Sequence, residues 1–355
     1  MKRGLVVLDP AEVPEDEWRA RTEGVRRRMA EEGVDVALVY GDVFASDDIA
    51  YLTNLCVYWN EGVLAVPAEG PPVFLTKLSP RVHPWMRRTS VVERIESGRS
   101  FGALVTRVLG ELPSGTVGLV DAERWPAAVA DEVREALPGL RVRELPGLVR
   151  AGRAVVSAHE LALLREGGAV VARAADAAGT DGLGVRARTA TVERVVRGAG
   201  FLDVQVNVPA APDGVVTVQV TGQYRTGWLH VSRLVGGAPW TGALRGALEA
   251  AVAAVRPGVR VTDLNEAAAP ALKRLPEGTD ARVSLVNQTD LASGGEHLGP
   301  RAAEPPAAGA VVALTVDVLF GTDGYAAVAE TVLVTAGGCE VLTGASVRND
   351  VEAAR

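Results

Sequence analysis

The chain has 355 residues, which is enough for two domains, each with its own hydrophobic core. Its formal net charge of -7 argues against the broad basic surface of a nucleic-acid-binding protein. Two cysteines are too few for a disulfide framework or a cysteine-ligated zinc site, and they favour a cytoplasmic location. No signal peptide or membrane-spanning segment is predicted. The preference for Ala, Gly, Val and Arg, with few Lys, is typical of bacteria with GC-rich genomes.

The first part of the chain alternates helical and strand patterns, which predicts a mixed sheet with helices on its faces. An amphipathic helix over residues 15–32 ends at Gly33 and is followed by a buried strand over 36–40. Further strands are predicted over 62–67, 72–76 and 116–120, and further helices over 101–112 and 127–137. The stretch 145–156 is predicted to connect two domains, residues 1–152 and 153–355.

The second domain is predicted to begin with a helix, because Ser157 and Glu160 have the spacing of a capping box. Later helices are predicted over 189–197 and 243–256, with another one capped by Thr262. Strands are predicted over 215–220, 228–234, 311–319 and 327–335. These elements indicate a second mixed α and β domain.

Several short segments, in the same order along nearly the whole chain, carry a resemblance to a known family. They are IAYLTN at 49–54, EGVLAV at 61–66, the Ser157 helix start, RPGV at 256–259, ETVLVT at 330–335 and EVLT at 340–343. Together they resemble the family of aminopeptidase P, prolidase and creatinase. The resemblance implies an α/β (α+β) chain with a Rossmann-like N-terminal domain of the creatinase/prolidase type and a C-terminal pita-bread domain. It also implies that residues 49–54 form a strand.

The peptidases of this family hold two metal ions with two Asp, one His and two Glu. Ungapped spacing of the motifs aligns Gln219 and His230 with the two Asp, and Glu296 with the metal-binding His. The two Glu positions fall on about Thr315 and on Ala329. Because bridging carboxylates are needed to hold two hard cations close together, we expect no metal site and no other cofactor.

The candidate catalytic residues follow from the same alignment. His230 could act as a general acid or base near neutral pH, and Glu296, on a glycine-rich turn, could tune its pKa. His297 is the third catalytic candidate. The candidate substrate-binding residues are Gln219, Asn207, Gln288, Glu304, Trp228 as an aromatic wall and Arg233 as a carboxylate ligand. Each of these residues also has a structural interpretation, and for Arg233 the resemblance to the family favours a role in stabilising the fold.

Three functions remain open at this point. The favoured one is a metal-independent enzyme that acts on a small organic substrate by acid–base chemistry, through C–N hydrolysis, a lyase, an isomerase or a cyclisation step, in bacterial secondary metabolism. The second is a catalytically inactive homodimer that binds a ligand or a protein. The third is a metallopeptidase with a rearranged site, in which His230, Glu296 and Asp317 hold a single ion. Fold resemblance alone does not decide among them.

Overall fold

The computed structural model describes residues 9, 12–55, 57, 60–110, 115–291, 305–322 and 324–344. The chain divides into two compact units, one over residues 2–153 and the other over residues 154–355. Among the helices of the described ranges, none combines the length and the hydropathy required to cross a membrane.

The N-terminal unit is built around one six-stranded sheet with the strand order β4-β3-β2-β1-β5-β6. Its strands are β1 (Val36–Gly41), β2 (Gly62–Pro67), β3 (Val73–Thr76), β4 (Arg94–Ser97), β5 (Thr116–Val120) and β6 (Arg141–Leu145). Its helices are α1 (Glu15–Glu31), α2 (Asp47–Thr53), α3 (His83–Thr89), α4 (Phe101–Leu109), α5 (Ala127–Glu135) and α6 (Arg150–Arg153). Only β2 runs antiparallel to its neighbours, and separate apolar clusters fill the two sides of the sheet.

The predicted strand over residues 49–54 is wrong, because this segment lies in helix α2. Asp47 and Asp48 occupy the first turn, where negative charge is favoured by the helix dipole. Asn54 ends the helix in the left-handed conformation with a φ of 62°. The apolar side chains of this segment are buried in the helix, and a buried strand would have the same apolar run. The sequence pattern therefore could not distinguish a short helix from a strand.

Two strands of this unit were not predicted from the sequence. Strand β4 is only four residues long, and β6, at the edge of the sheet, carries the exposed residues Arg141, Arg143 and Glu144. Both lack the apolar run that indicates a buried strand.

The C-terminal unit contains a seven-stranded sheet in the order β10-β11-β12-β9-β8-β7, with β13 paired to β12. Its strands are β7 (Asp203–Asn207), β8 (Val216–Tyr224), β9 (Gly227–Val235), β10 (Thr279–Asn287), β11 (Val311–Phe320), β12 (Tyr325–Thr335) and β13 (Gly338–Val341). Its helices are α7 (Ala158–Ala178), α8 (Val185–Gly198), α9 (Thr241–Ala254) and α10 (Val261–Leu272). Strands β7 and β10, at the two edges of the sheet, were not predicted.

The helix starts of this unit test two sequence predictions. The capping box is confirmed at α7, because the Ser157 hydroxyl accepts from the backbone N–H of Glu160 and the Glu160 carboxylate accepts from that of Ser157. The predicted Thr262 cap is wrong, because α10 begins after Arg260. There the carboxylate of Asp263 accepts from the backbone N–H of Arg260 at 3.0 Å.

The two faces of the C-terminal sheet differ in character. The even-numbered residues of β11 pack with the apolar residues of α9 in one core cluster, which includes Leu244, Leu248, Leu314 and Val316. The odd-numbered residues of β11, Thr315 and Asp317 among them, therefore lie on the opposite face. We call this opposite face, which carries Gln219, Thr315, Asp317 and Tyr325, the polar face.

Hydroxyl groups join β9 and β12 in the middle of the sheet, where a single register pair, Ala329 with Ser232, connects the two strands. The hydroxyl of Thr331 accepts from the backbone N–H of His230 at 2.8 Å and donates to the His230 carbonyl at 2.7 Å. The Ser232 hydroxyl donates to the Ala327 carbonyl at 3.0 Å. These side chains replace ladder hydrogen bonds and fix the backbone of His230.

Candidate functional site

Side chains from five strands form a row on the polar face, in an order set by the sheet register. Gln219 lies opposite Ser232, Ser232 opposite Ala329, Ala329 opposite Thr315, and Thr315 opposite Ser284. Three of the positions that the sequence aligns with metal ligands, 219, 315 and 329, therefore lie in one row across the sheet. The row contains hydroxyl, amide and methyl groups, and no carboxylate.

A second polar group lies beside this row, towards the β11–β12 turn. The side-chain amide of Gln219 donates to the hydroxyl of Tyr325 at 3.3 Å. Burial and the nearby Asp317 carboxylate raise the pKa of Tyr325 above its ordinary value, so this hydroxyl keeps its proton at neutral pH. Asp317 itself is buried and accepts from Nε of Arg282 with both oxygens, each at 3.0 Å.

His230 lies on the same face as Gln219, because it pairs directly with Thr221, which is two residues further along β8. Its Nδ1 atom is 2.8 Å from the Thr221 hydroxyl. The residue is only 1% exposed. The structure thus holds the imidazole in one orientation by the contact with Thr221 and by the backbone hydrogen bonds to Thr331.

Trp228 and Gln288 lie in the interior, in contact with each other. Trp228 is fully buried in a small apolar cluster with Leu291 and Ala313, and its backbone N–H donates to Oε1 of Gln288 at 3.0 Å. Both residues are buried in this structure, where they make interior packing and polar contacts. Asn207, the third member of the predicted neutral pocket, is exposed at the end of edge strand β7.

Arg233 lies on the opposite face of the sheet from His230. Its guanidinium pairs with Glu330 at 2.9 Å and donates to the carbonyls of Ala329 and Thr343 at 3.1 and 2.7 Å. Because these contacts tie β9 to β12 and to Thr343, the structure corresponds to the fold-stabilising interpretation. A direct contact with a ligand on the polar face does not fit this position.

Three further candidates, Glu296, His297 and Glu304, lie outside the described residues. Their predicted roles therefore remain sequence predictions, including the pairing of Glu296 with His230.

The residues at the positions predicted to hold metal, so far as they lie in the described ranges, do not fit the dinuclear site of the peptidases. The four aligned positions in the described ranges carry Gln219, His230, Thr315 and Ala329, and only the His is a strong metal ligand. Within the part of the chain that the structure describes, no group of three or more His, Cys, Asp and Glu side chains could hold a metal ion. Asp317, the alternative ligand, is instead bound to Arg282.

Sequence reasoning missed Tyr325 and Arg282 as members of the site. Tyr325 begins β12 and Arg282 lies on the unpredicted strand β10, so no motif included either residue. A signal was present in the alternation Asp280, Arg282, Ser284 along a strand with apolar residues between them. That period of two indicates a strand with one polar face.

A comparison with protein-family models identifies the N-terminal part of the chain. Residues 21–155 match the family model of the Creatinase/Prolidase N-terminal domain. No match was found among curated proteins.

Solved structures resemble the chain over almost its whole length. A dipeptidase from Mycobacterium ulcerans is 20% identical with a TM-score of 0.70, over 96% of this chain and 97% of that one. The X-Pro aminopeptidase of Thermotoga maritima is 17% identical with a TM-score of 0.74, over 91% and 97%. The Xaa-Pro dipeptidase of Bacillus anthracis is 16% identical with a TM-score of 0.74, over 92% and 98%. These matches confirm the predicted fold, a creatinase-type N-terminal domain followed by a pita-bread domain.

Proposed function

We propose that this chain, which carries a creatinase/prolidase N-terminal domain and the pita-bread fold of prolidases and aminopeptidase P, is a metal-independent enzyme. It would act on a small organic molecule bound over the polar face, by proton transfer between side chains and substrate. C–N hydrolysis, elimination, isomerisation and cyclisation all belong to this class of reaction.

The single observation that carries the proposal is the composition of the row across the sheet. Positions 219, 315 and 329, which motif spacing predicts to correspond to carboxylate ligands of the peptidases, carry an amide, a hydroxyl and a methyl group. Two divalent cations repel each other strongly and need shared anionic ligands, which these groups do not supply. The row can instead donate and accept hydrogen bonds to an uncharged substrate.

Proton transfer in this proposal is assigned to His230 and Tyr325. An imidazole accepts or donates a proton near neutral pH, and the Thr221 hydroxyl 2.8 Å from Nδ1 fixes the ring so that Nε2 serves as the other proton site. The Tyr325 hydroxyl, with its raised pKa, supplies a donor that stays protonated. Gln219, bound to Tyr325, orients this hydroxyl.

A second candidate function is a ligand-binding protein without catalysis, acting as a homodimer. The observation that favours it is the 1% exposure of His230, because a general acid or base must reach its substrate. Under this alternative the polar face keeps its binding role and the imidazole serves as a structural residue.

Metal analysis of the purified protein tests the metal-independent part. We expect far less than one divalent ion per chain after purification without chelator, and no increase in melting temperature on adding Mn²⁺ or Zn²⁺. Stoichiometric metal, or strong stabilisation by it, would refute the proposal and support a rearranged metallopeptidase.

A ligand screen separates the two candidates. The protein is screened by thermal shift against small amino-acid and amidine compounds, and compounds that bind are incubated with it and followed by mass spectrometry. Turnover that is lost in His230→Ala and kept in His159→Ala, a control at an exposed position on α7, supports the enzyme. Binding without turnover supports the second candidate.

A further inference from the structure

The guanidinium of Arg282 is held from one side only. Its Nε donates to both oxygens of the buried Asp317 at 3.0 Å, and within the described residues its two terminal nitrogens have no hydrogen-bond acceptor. The Arg282 side chain is 61% exposed, whereas the Asp317 side chain is only 5% exposed. A buried carboxylate therefore orients a guanidinium whose outer edge faces solvent.

This arrangement lies directly beside the candidate site. The register places Arg282 opposite Asp317 and Asp317 opposite Ala327, one row away from the Thr315 and Ala329 row. Tyr325, bound to Gln219, completes the group on the same face. The polar face thus carries the charged pair Arg282 and Asp317 on β10 and β11, the Tyr325 hydroxyl on β12 and the Gln219 amide on β8.

We propose that Arg282 is the substrate-recognition residue of the polar face and that it binds a carboxylate of the small molecule through its two terminal nitrogens. This inference rests on the proposed function and names its substrate class. The planar fork of a guanidinium matches the two oxygens of a carboxylate, and fixing Nε removes part of the entropy that binding would otherwise cost.

The surrounding charges set the expected strength of the subsite. Asp317 balances Arg282, and Asp280, which shares its face of β10, interacts electrostatically with the guanidinium. One additional carboxylate nearby weakens the attraction for an anion without removing the directed hydrogen bonds. Asp280 is exposed, which makes it a suitable position for a control substitution.

The test uses the full chain and two matched probes, N-acetylglycine and N-acetylglycinamide, with inorganic phosphate as a third. Binding is followed by NMR on the Nε–Hε signal of Arg282, assigned by its loss in Arg282→Lys. Lysine keeps the charge next to Asp317, so the variant tests the fork while avoiding an unpaired buried carboxylate. Unfolding of each variant is measured in parallel.

We expect saturable binding of N-acetylglycine with a shift of the Arg282 signal. The wild type should bind N-acetylglycinamide about tenfold more weakly than N-acetylglycine. Arg282→Lys should bind N-acetylglycine about tenfold more weakly than the wild type does. Each tenfold decrease corresponds to the loss of one directed charge-assisted hydrogen bond. Asp280→Asn should raise the affinity about twofold. Equal binding of the two glycine probes, unchanged binding in Arg282→Lys, or tighter binding of phosphate would overturn the inference. Metal content decides the proposed function separately, so either one can fail alone.

Discussion

Gln219 and Tyr325 are 106 residues apart in the chain, and the amide of the first donates a hydrogen bond to the hydroxyl of the second. Motif spacing predicts that position 219 corresponds to a metal-binding Asp of the peptidases. In this structure Gln219 is a partner of a tyrosine, and the contact links β8 to β12 across the polar face.

A double-mutant cycle with Gln219→Leu and Tyr325→Phe should give a coupling free energy of about 1 kcal/mol in unfolding experiments. Each single variant leaves a mostly buried polar group with one partner fewer, while the double variant removes both groups. Urea unfolding of the four proteins measures the coupling. A value indistinguishable from zero would mean that the two side chains do not interact in solution.

Arg233→Ala should destabilise the fold by about 3 kcal/mol, because it leaves the mostly buried Glu330 without its counter-charge. The matched control is Arg165→Ala, which breaks a pair with Glu340 whose two side chains are 50% and 40% exposed. That variant should lose less than about 1 kcal/mol. Similar losses in the two variants would contradict the structural role of Arg233.

His83 should make the unfolding free energy depend on pH in the acidic range. Burial and the positive charge of Arg87 lower the pKa of His83 below its ordinary value of 6.5, against the weaker opposing effect of Glu96. A histidine with a lowered folded-state pKa contributes stability that is present above pH 6.5 and is lost as the pH falls through the folded-state value.

The variant His83→Gln removes this titration and keeps a side chain able to reach Ser97, which lies 2.6 Å from Nε2 in the wild type. The unfolding free energy of the variant is subtracted from that of the wild type at each pH. This difference should be constant above about pH 7 and should decrease towards pH 5. Denaturant unfolding at a series of pH values measures it. An increase on acidification would mean that the His83 pKa is raised instead.

Two glycines in helices should respond in opposite ways to alanine. A Cβ at Gly168 in α7 would overlap the backbone carbonyl of Leu342, so Gly168→Ala should lower the melting temperature. A Cβ at Gly242 in α9 meets no atom within 4 Å, and Gly242→Ala should stabilise by about 0.5–1 kcal/mol. Calorimetry of both variants tests the packing of α7 against Leu342.

Much of the fold could be predicted from the sequence because the signals are local. Apolar periodicity gave β2 and β5 with their bounds, and the Ser157–Glu160 spacing gave the start of α7. Short or charged elements such as β4, β6 and α2 were missed or misassigned, since their state depends on what they pack against.

The sequence by itself predicted which residues stand at the positions of the family's metal ligands, because short motifs and their spacing are local signals. Only the tertiary structure decided what those residues contact. It buried Trp228 and turned Arg233 to the opposite face, and it brought Tyr325 and Arg282 beside Gln219 and Asp317. Register between strands far apart in the chain sets these neighbours, and a one-residue change in register would move every side chain to the other face.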